Sequence, residues 1–450
     1  MKHRTMLRSV PITVLCIILF PDFSEAQDVN FTASTIHDEN IFDIYVPTSD
    51  RVTQFMTDVS KSWDTDRAAV DATYTGALSL FRDLNARNYH VHLIAVTTTY
   101  HLSTHDAEEE EEDAADPIES GDGADTLDFS PGVPPRTEPE QRTSPDSLDQ
   151  LLIVAVSGGI QLDKNDFSQF DNSKIRAELA CRQPVGLLLT ARPSYALTYH
   201  DYPNLPGLTN FENILALSLG KSVFHTGWIS LTPAYGIKKY TSSTYTYTFT
   251  PRFSNPTGHG KVGGGNGRPV SRSIVLTTPS VNQFSTAISW NQKFSSSTTA
   301  MMQYTYYGTP TSEARLLPQE KSNAFERVGI GNNLVLQNEI FDDRYGYSGN
   351  EVSLRIQQQF PFALMLTMQG TTLHKNYTLD ALAFDSTATE TGRRIDTRLV
   401  TEINLSRPIA LSEHSSLRPQ LEVHLIRNES NAPYYEFDKA TFMIGLEFNF

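Results

Sequence analysis

Enzymatic chemistry needs a nucleophile or a carboxylate pair beside a positioned histidine, and this chain offers only scattered candidates. His200-Asp201 and Asp342-Asp343 are titratable pairs expected in loops, while His424 falls on the polar face of an alternating segment. No local serine-nucleophile signature and no HExxH occurs. The run from Gly258 to Gly267 is glycine-rich but lacks the spacing that cradles a phosphate, so it reads as a flexible loop. His101 and His105, with Asp106 beyond, have donor chemistry for zinc, but no regular element fixes them at ligand distance. The acidic stretch Glu108 to Asp113 lacks the spaced ligands and turn glycine of a calcium loop. No metal, cofactor or catalytic residue is expected.

Charge is unevenly spread. The formal net charge is −16 over 450 residues. From Asp106 to Asp149 there are 16 acids against Arg136 and Arg142, so nearly all of the imbalance lies in one stretch, which reads as a solvated, disordered segment. No basic footprint for nucleic acid is present, and none is expected as a partner. Phe and Tyr number 24 and 19, a strand-forming mixture, and charged residues make up only 20%.

Residues 1–26 read as a secretory signal. Lys2, Arg4 and Arg8 form a positive start, Val14 to Phe20 an apolar stretch, and Ser24-Glu25-Ala26 a cleavage site before Gln27. Cys16 follows Leu15 rather than a small residue, which argues against lipidation, and Cys181 is then the one cysteine of the mature chain. It cannot form an internal disulfide.

The elements that must position any site begin with a leader at 27–66. Ser49 to Trp63 has the spacing of one short helix, with Val52, Phe55, Met56 and Val59 on one face. Beyond Ala68 the period changes to two. Ile395, Thr397, Leu399, Thr401, Ile403 and Leu405 share a face opposite Arg394, Asp396, Arg398, Glu402 and Asn404. Similar alternation runs through 351–358 and 417–425. In the last segment, Phe442, Ile444, Leu446, Phe448 and Phe450 oppose Thr441, Met443, Gly445, Glu447 and Asn449.

Alternation alone does not say which face is inside, but connection lengths do. Strands are predicted at roughly 68–82, 89–101, 150–163, 173–182, 186–199, 211–221, 227–240, 281–294, 299–309, 349–359, 362–374, 393–406, 416–427 and 438–450. Tight turns after Arg182, Lys221, Phe294 and Phe360 alternate with longer joins, as in an outer-membrane barrel and unlike a Greek-key sandwich. The fold class is all-β: a single antiparallel up-and-down transmembrane β-barrel over 67–450, of about 14 strands (12–16), with a disordered acidic insertion at 102–149. That insertion breaks the alternation by falling on the short-turn side. The Asn-x-Ser/Thr triplets at Asn30, Asn376, Asn404 and Asn428 mean little in a bacterial setting.

On its signal, its strand meander and its terminal Thr441-to-Phe450 strand, the chain resembles Gram-negative outer-membrane β-barrel proteins. Phe442, Ile444, Leu446, Phe448 and Phe450 look like the signal read by the barrel-insertion machinery. The resemblance implies residence in the cell outer membrane, with lipid and that machinery as partners. Ser430 to Asp438 also looks like the closing segment of barrels in tetratricopeptide-repeat surface-lipoprotein exporters.

If the apolar faces meet lipid, Arg176, Glu178, Arg182, Glu351, Arg355, Arg394, Asp396, Arg398, Glu402, Arg418, Glu422, His424 and Glu447 line the lumen. Such mixed charges form cross-strand ion pairs and also set solute preference in a wet pore. Loops 241–280 and 310–348 are long enough to fold inward as constrictions. The expected function is a passive, porin-like channel for small solutes. A non-conducting surface or assembly barrel that binds a partner through its loops and, third, a barrel hydrolase are the alternatives.

Overall fold

The computed structural model describes residues 27–450 except 103–149, 250–271, 310–342 and 381–392 and, within turns, 42, 44–46, 66, 165–167, 186–188, 224–225, 243, 278 and 433–434. The signal and its cleavage residue Ala26 lie outside the described residues, and Gln27 opens the first strand. The strands are β1 (Gln27–Asp38), β2 (Asp50–Asp64), β3 (Ala68–Phe81), β4 (Tyr89–His101), β5 (Leu151–Asp163), β6 (Asn172–Val185), β7 (Leu189–Asp201), β8 (Asn210–Val223) and β9 (Gly227–Tyr240). A small hairpin of β10 (Tyr245–Phe249) and β11 (Arg272–Leu276) follows. The chain continues through β12 (Ser280–Ser295), β13 (Thr298–Gly308), β14 (Tyr347–Gln359), β15 (Met365–Asp380) and β16 (Arg393–Ser406). It ends with the two-residue β17 (Ile409–Ala410), β18 (Ser416–Ser430) and β19 (Phe437–Asn449).

Leaving aside β10, β11 and β17, the described strands form one closed antiparallel barrel of 16 strands. Each pairs with its neighbour along the chain, β9 pairs with β12, and β1 closes the ring against β19 from Asn30↔Asn449 to Asp38↔Thr441. Closure leaves no row of unpaired backbone groups, the one way a sheet can sit in hydrocarbon. Among the described residues no helix is long and apolar enough to cross a membrane.

The outer wall is apolar and exposed. Phe55, Leu78, Ile94, Val156, Leu179, Leu215, Leu231, Ile288, Leu354, Leu399, Leu425 and Ile444 all face outward. A belt of that extent has no stable partner in water. Aromatic rings flank it at both ends, as membrane barrels require. Nearer one end, Tyr195 donates to Asn213 Oδ1 (2.6 Å), Tyr304 to Asn350 Oδ1 (2.7 Å), and Asn282 Nδ2 to the Tyr235 hydroxyl (3.1 Å). In each pair a ring in the belt is held by an amide on the next strand. At the other end Trp63, Tyr100, Phe294 and Phe450 are exposed, and the Lys61 ammonium lies 5.4 Å from the Trp63 ring centre.

The two ends of the barrel differ. At the turn end, connections at 65–67, 186–188, 224–226, 296–297 and 360–364 are tight, and β1 begins and β19 ends there. The loop end carries 39–49, 82–88, 164–171, 202–209, 241–279, 309–346, 381–392 and 431–436. The connection from His101 to Leu151 leaves and re-enters at the turn end, where the Leu102 N–H donates to the Gln150 carbonyl (2.8 Å). The acidic insertion itself lies outside the described residues.

Two expectations are corrected. The barrel has 16 strands rather than about 14, and it begins at 27 rather than 67. The 27–66 leader is strands β1 and β2, and the short helix expected over 49–63 is extended. The physical reason lies in its apolar residues, which divide between two faces. Val52 and Met56 point inward and are buried, whereas Phe55 points outward and stacks on Phe31 (6.4 Å between centroids). Apolar residues on both faces of a strand happen to match helical spacing. The remaining predicted strands are present, with ends shifted by a few residues.

Candidate functional site

The lumen wall changes character along its length. At the loop end the inward faces of β1 to β4 and β19 hold an apolar cluster among polar residues such as Ser34, Asp38, Gln54, Ser79 and Lys439, against the usual rule for a barrel interior. Ile36, Val52, Met56, Ala77, Phe81, Tyr89, Val91 and Met443 pack together around Ile41 from the first connection. Asn40, Ile41 and Asp43 turn into the barrel here, each nearly inaccessible. Asp43 adopts the left-handed backbone region (φ 50°), which Asp visits more readily than most residues. Its carboxylate meets Lys439 Nζ at 2.8 Å; that ammonium also holds Asp38 at 2.9 Å, and Arg398 lies 3.9 Å from Asp43. The Lys439 side chain is 0% exposed and that of Asp43 1%. A buried charge is retained only when paired in this way. Arg87, in a one-turn helix between β3 and β4, is buried over the Phe81 ring (5.6 Å), and that burial pulls its guanidinium down to about 10.

A second tip enters from the connection before β14. Asp343 caps a one-turn helix at Arg344–Gly346 by accepting from the Tyr345 N–H, and also accepts from Lys238 Nζ at 2.7 Å. Both partners are nearly inaccessible, at 2% and 3%. Arg344 pairs with Glu212 on β8. Tyr345 lies against β9, where its hydroxyl fills the space a Cβ would need at Gly236, so glycine is required by close approach. Burial first, and then Glu212, raise the Tyr345 phenol well above its ordinary value. Between the two tips runs a ladder of rings and cations. Tyr307, Tyr347 and Tyr377 meet edge to face, Lys375 lies 4.9 Å from the Tyr347 ring, and Arg394 stacks between Tyr377 (4.2 Å) and Tyr435 (3.6 Å).

Below the tips the inward residues include charged, partly exposed side chains. At the turn end Arg418 is 42% exposed and lies 3.5 Å from Glu447; higher on the wall, in the loop-end half of β6, Arg176 pairs with Glu178 at 2.8 Å, and Arg192 on β7 approaches the same carboxylate at 3.8 Å. Between the Arg418–Glu447 pair and the tips lies a layer of Glu402, Glu422 and His424, with Arg355 in electrostatic reach of Glu402.

Strand alternation puts Arg176, Glu178, Arg182, Glu351, Arg355, Arg394, Asp396, Arg398, Glu402, Arg418, Glu422, His424 and Glu447 on faces opposite the outward apolar residues. They do not form one environment. Arg394 and Asp396 belong to the buried loop-end network, with Ser430 donating to Asp396 at 2.7 Å. Glu351 accepts from the Tyr307 hydroxyl at 3.1 Å. Lys439, Asp38, Lys238 and Glu212 are further lumen residues that alternation marks as inward; their partners Asp43, Asp343 and Arg344 sit in connections, where no periodicity marks them.

The catalytic and metal candidates are not assembled. His200 and Asp201 are consecutive strand residues with opposite orientations. The His200 ring contacts Asn172 (3.2 Å) and Tyr202 (3.1 Å), while Asp201 accepts from Thr209 (3.2 Å). Asp343 is used by Lys238, and Asp342 lies outside the described residues, as do His105, Asp106, Glu108 to Asp113 and the Gly258–Gly267 run. No three metal-ligating side chains converge among the described residues.

No family model and no curated protein matches the chain, and nothing beyond Ser430–Asp438 itself carries the likeness to exporter barrels. Solved structures that it is similar to include Pseudomonas aeruginosa OccK2 (OpdF), at 10% identity over 94% of this chain and 98% of that one, TM-score 0.44. Acinetobacter baumannii OccAB1 aligns at 11% identity over 94% and 96%, TM-score 0.44. The outer membrane protein OprD from Pseudomonas aeruginosa aligns at 10% identity over 95% and 94%, TM-score 0.41. The barrel is read from this chain's own strand pairing.

Proposed function

We propose that this chain is an outer-membrane channel through which small solutes diffuse passively. The membrane reading is supported by the closed ring, the exposed apolar belt and the aromatic girdles. The turn end, with both strand termini, is the periplasmic side, and the loop end is external. Phe442, Ile444, Leu446, Phe448 and Phe450 form the segment read by the barrel-insertion machinery, and lipid is the bulk partner.

One observation carries the channel reading: the mixed-charge, partly exposed lumen wall below the tips, from Arg176 and Glu178 down to Arg418 and Glu447, leading up to a level narrowed by two inward tips. Fixed charges of both signs along a wet wall favour entry of small polar solutes without holding them. The constriction is built from Asn40, Ile41 and Asp43 in a short connection and from 343–346 at the end of a long one. No catalytic role is proposed: His200 bonds Asn172 and Tyr202, and Asp343 bonds Lys238 and the Tyr345 N–H, so neither belongs to a nucleophile–base arrangement.

The near-total burial of the loop-end ion pairs favours a second reading: a barrel shut at that end whose external loops bind a surface partner. Planar-bilayer recording of refolded protein separates the two. A channel shows discrete conductance steps; a persistently silent bilayer refutes the channel and supports the shut barrel.

A further inference from the structure

The layer just below the loop-end plug contains a side chain whose surroundings specify its charge. His424, near the middle of β18, has Glu422 two residues away on the same lumen face and Glu402 directly opposite on β16. Its two ring nitrogens face two different carboxylates. Nε2 hydrogen-bonds Glu422 Oε1, and Nδ1 lies 3.4 Å from Glu402 Oε1, a charge contact without hydrogen-bond geometry. A neutral imidazole has one N–H and one lone pair, so one of these contacts would set a lone pair against a carboxylate oxygen. With both nitrogens protonated, each contact is an attraction.

The neighbours agree with that assignment. The second oxygen of Glu422 accepts from Asn404 Nδ2 at 3.4 Å, Thr441 on β19 stands opposite His424, and Arg355 on β14 acts on Glu402 from its far side. Arg398, four residues from Glu402 on β16, is directed to Asp43 in the plug. Two carboxylates and the Arg355 guanidinium thus surround the histidine.

We infer that His424 is a fixed cation of the lumen, an imidazolium bridging Glu402 and Glu422, and that it sets the ion preference of the path immediately below the constriction. Removing its charge takes the imidazolium from between two lumen-facing carboxylates, and a more negative ring favours cations. The selectivity half rests on the channel reading; the bridge itself does not.

Two measurements on the full mature chain test it. In a salt gradient across a planar bilayer, His424→Gln shifts the zero-current potential toward cation preference, and His424→Lys, which keeps a cation there, holds the wild-type value. Unchanged preference in a conducting, heat-modifiable His424→Gln barrel overturns the selectivity role. Nitrogen-15 spectra of ring-labelled protein in detergent, with the His424 signals assigned by their loss in His424→Gln, show two protonated ring nitrogens at neutral pH. A singly protonated ring overturns the bridge. A silent wild-type bilayer overturns both the channel and the selectivity role, while the spectrum still decides the bridge.

Discussion

Lys238 and Asp343 show how a side chain can hold a loop inside a barrel. Lys238 comes from a strand, and Asp343 from the end of a long connection that would otherwise project outward; their 2.7 Å contact is almost sealed from solvent. Replacing Lys238 with Met leaves the carboxylate buried without its cation, a loss of about 3–5 kcal/mol for such a pair. The strand pairing does not depend on this contact, so the expected outcome is an assembled barrel with a loosened tip. Lys238→Met retains heat-modifiable mobility, but single-channel conductance rises and the 343–346 region becomes sensitive to protease. An unchanged conductance would show that this tip does not narrow the path.

At the level of elements, β1 and β2 carry consequences that a leader and a helix would not. β1 is hydrogen-bonded on one side to β19 and on the other to β2, so its loss opens the ring and exposes two edges to lipid. Deleting 28–38 from the mature chain is expected to abolish heat-modifiable protein in the outer membrane. Leu446 faces lipid on β19 between Ala33 and Pro419, and Phe55 faces lipid on β2 between Ala33 and Leu78. Asp at either site places a carboxylate in hydrocarbon at about 2–4 kcal/mol or less, according to depth. Both Leu446→Asp and Phe55→Asp therefore reduce the assembled fraction in a membrane-fraction gel, as does removal of Phe450. A Phe55→Asp protein that assembles as well as the parent would contradict an outward-facing β2.

For the whole molecule, the even strand number returns both ends of the barrel to one side, and the 102–150 connection leaves from that same side. An epitope tag near Gly123 should be invisible to antibody on intact cells and appear after permeabilisation, whereas a tag near Gly264 should be visible throughout. Because the Leu102 N–H already meets the Gln150 carbonyl, removing 106–146 leaves β4 and β5 joined across a short gap, and the barrel still assembles. Detection of the Gly123 tag on intact cells would invert the sidedness assigned here.

The sequence by itself determined the strand class, the inward and outward faces of β3 to β19 where alternation is clean, and the short-long rhythm of connections. These are local properties: a side-chain period of two and a turn length are written in consecutive residues. The alternating face 394–405, for example, is the same on paper and in the barrel. The strand number and the constriction were decided only by tertiary structure. β1 and β2 line a lumen sector that loop tips fill, so Val52 and Met56 are apolar on the inside while Phe55 is apolar on the outside, and period two is blurred where both environments are dry. The bonds of Lys439 to Asp38 and Asp43, and of Lys238 to Asp343, join residues far apart in the chain. Nothing in the spacing of such residues encodes their meeting; closing the ring brings them into one small, water-poor volume where each buried charge must find a partner.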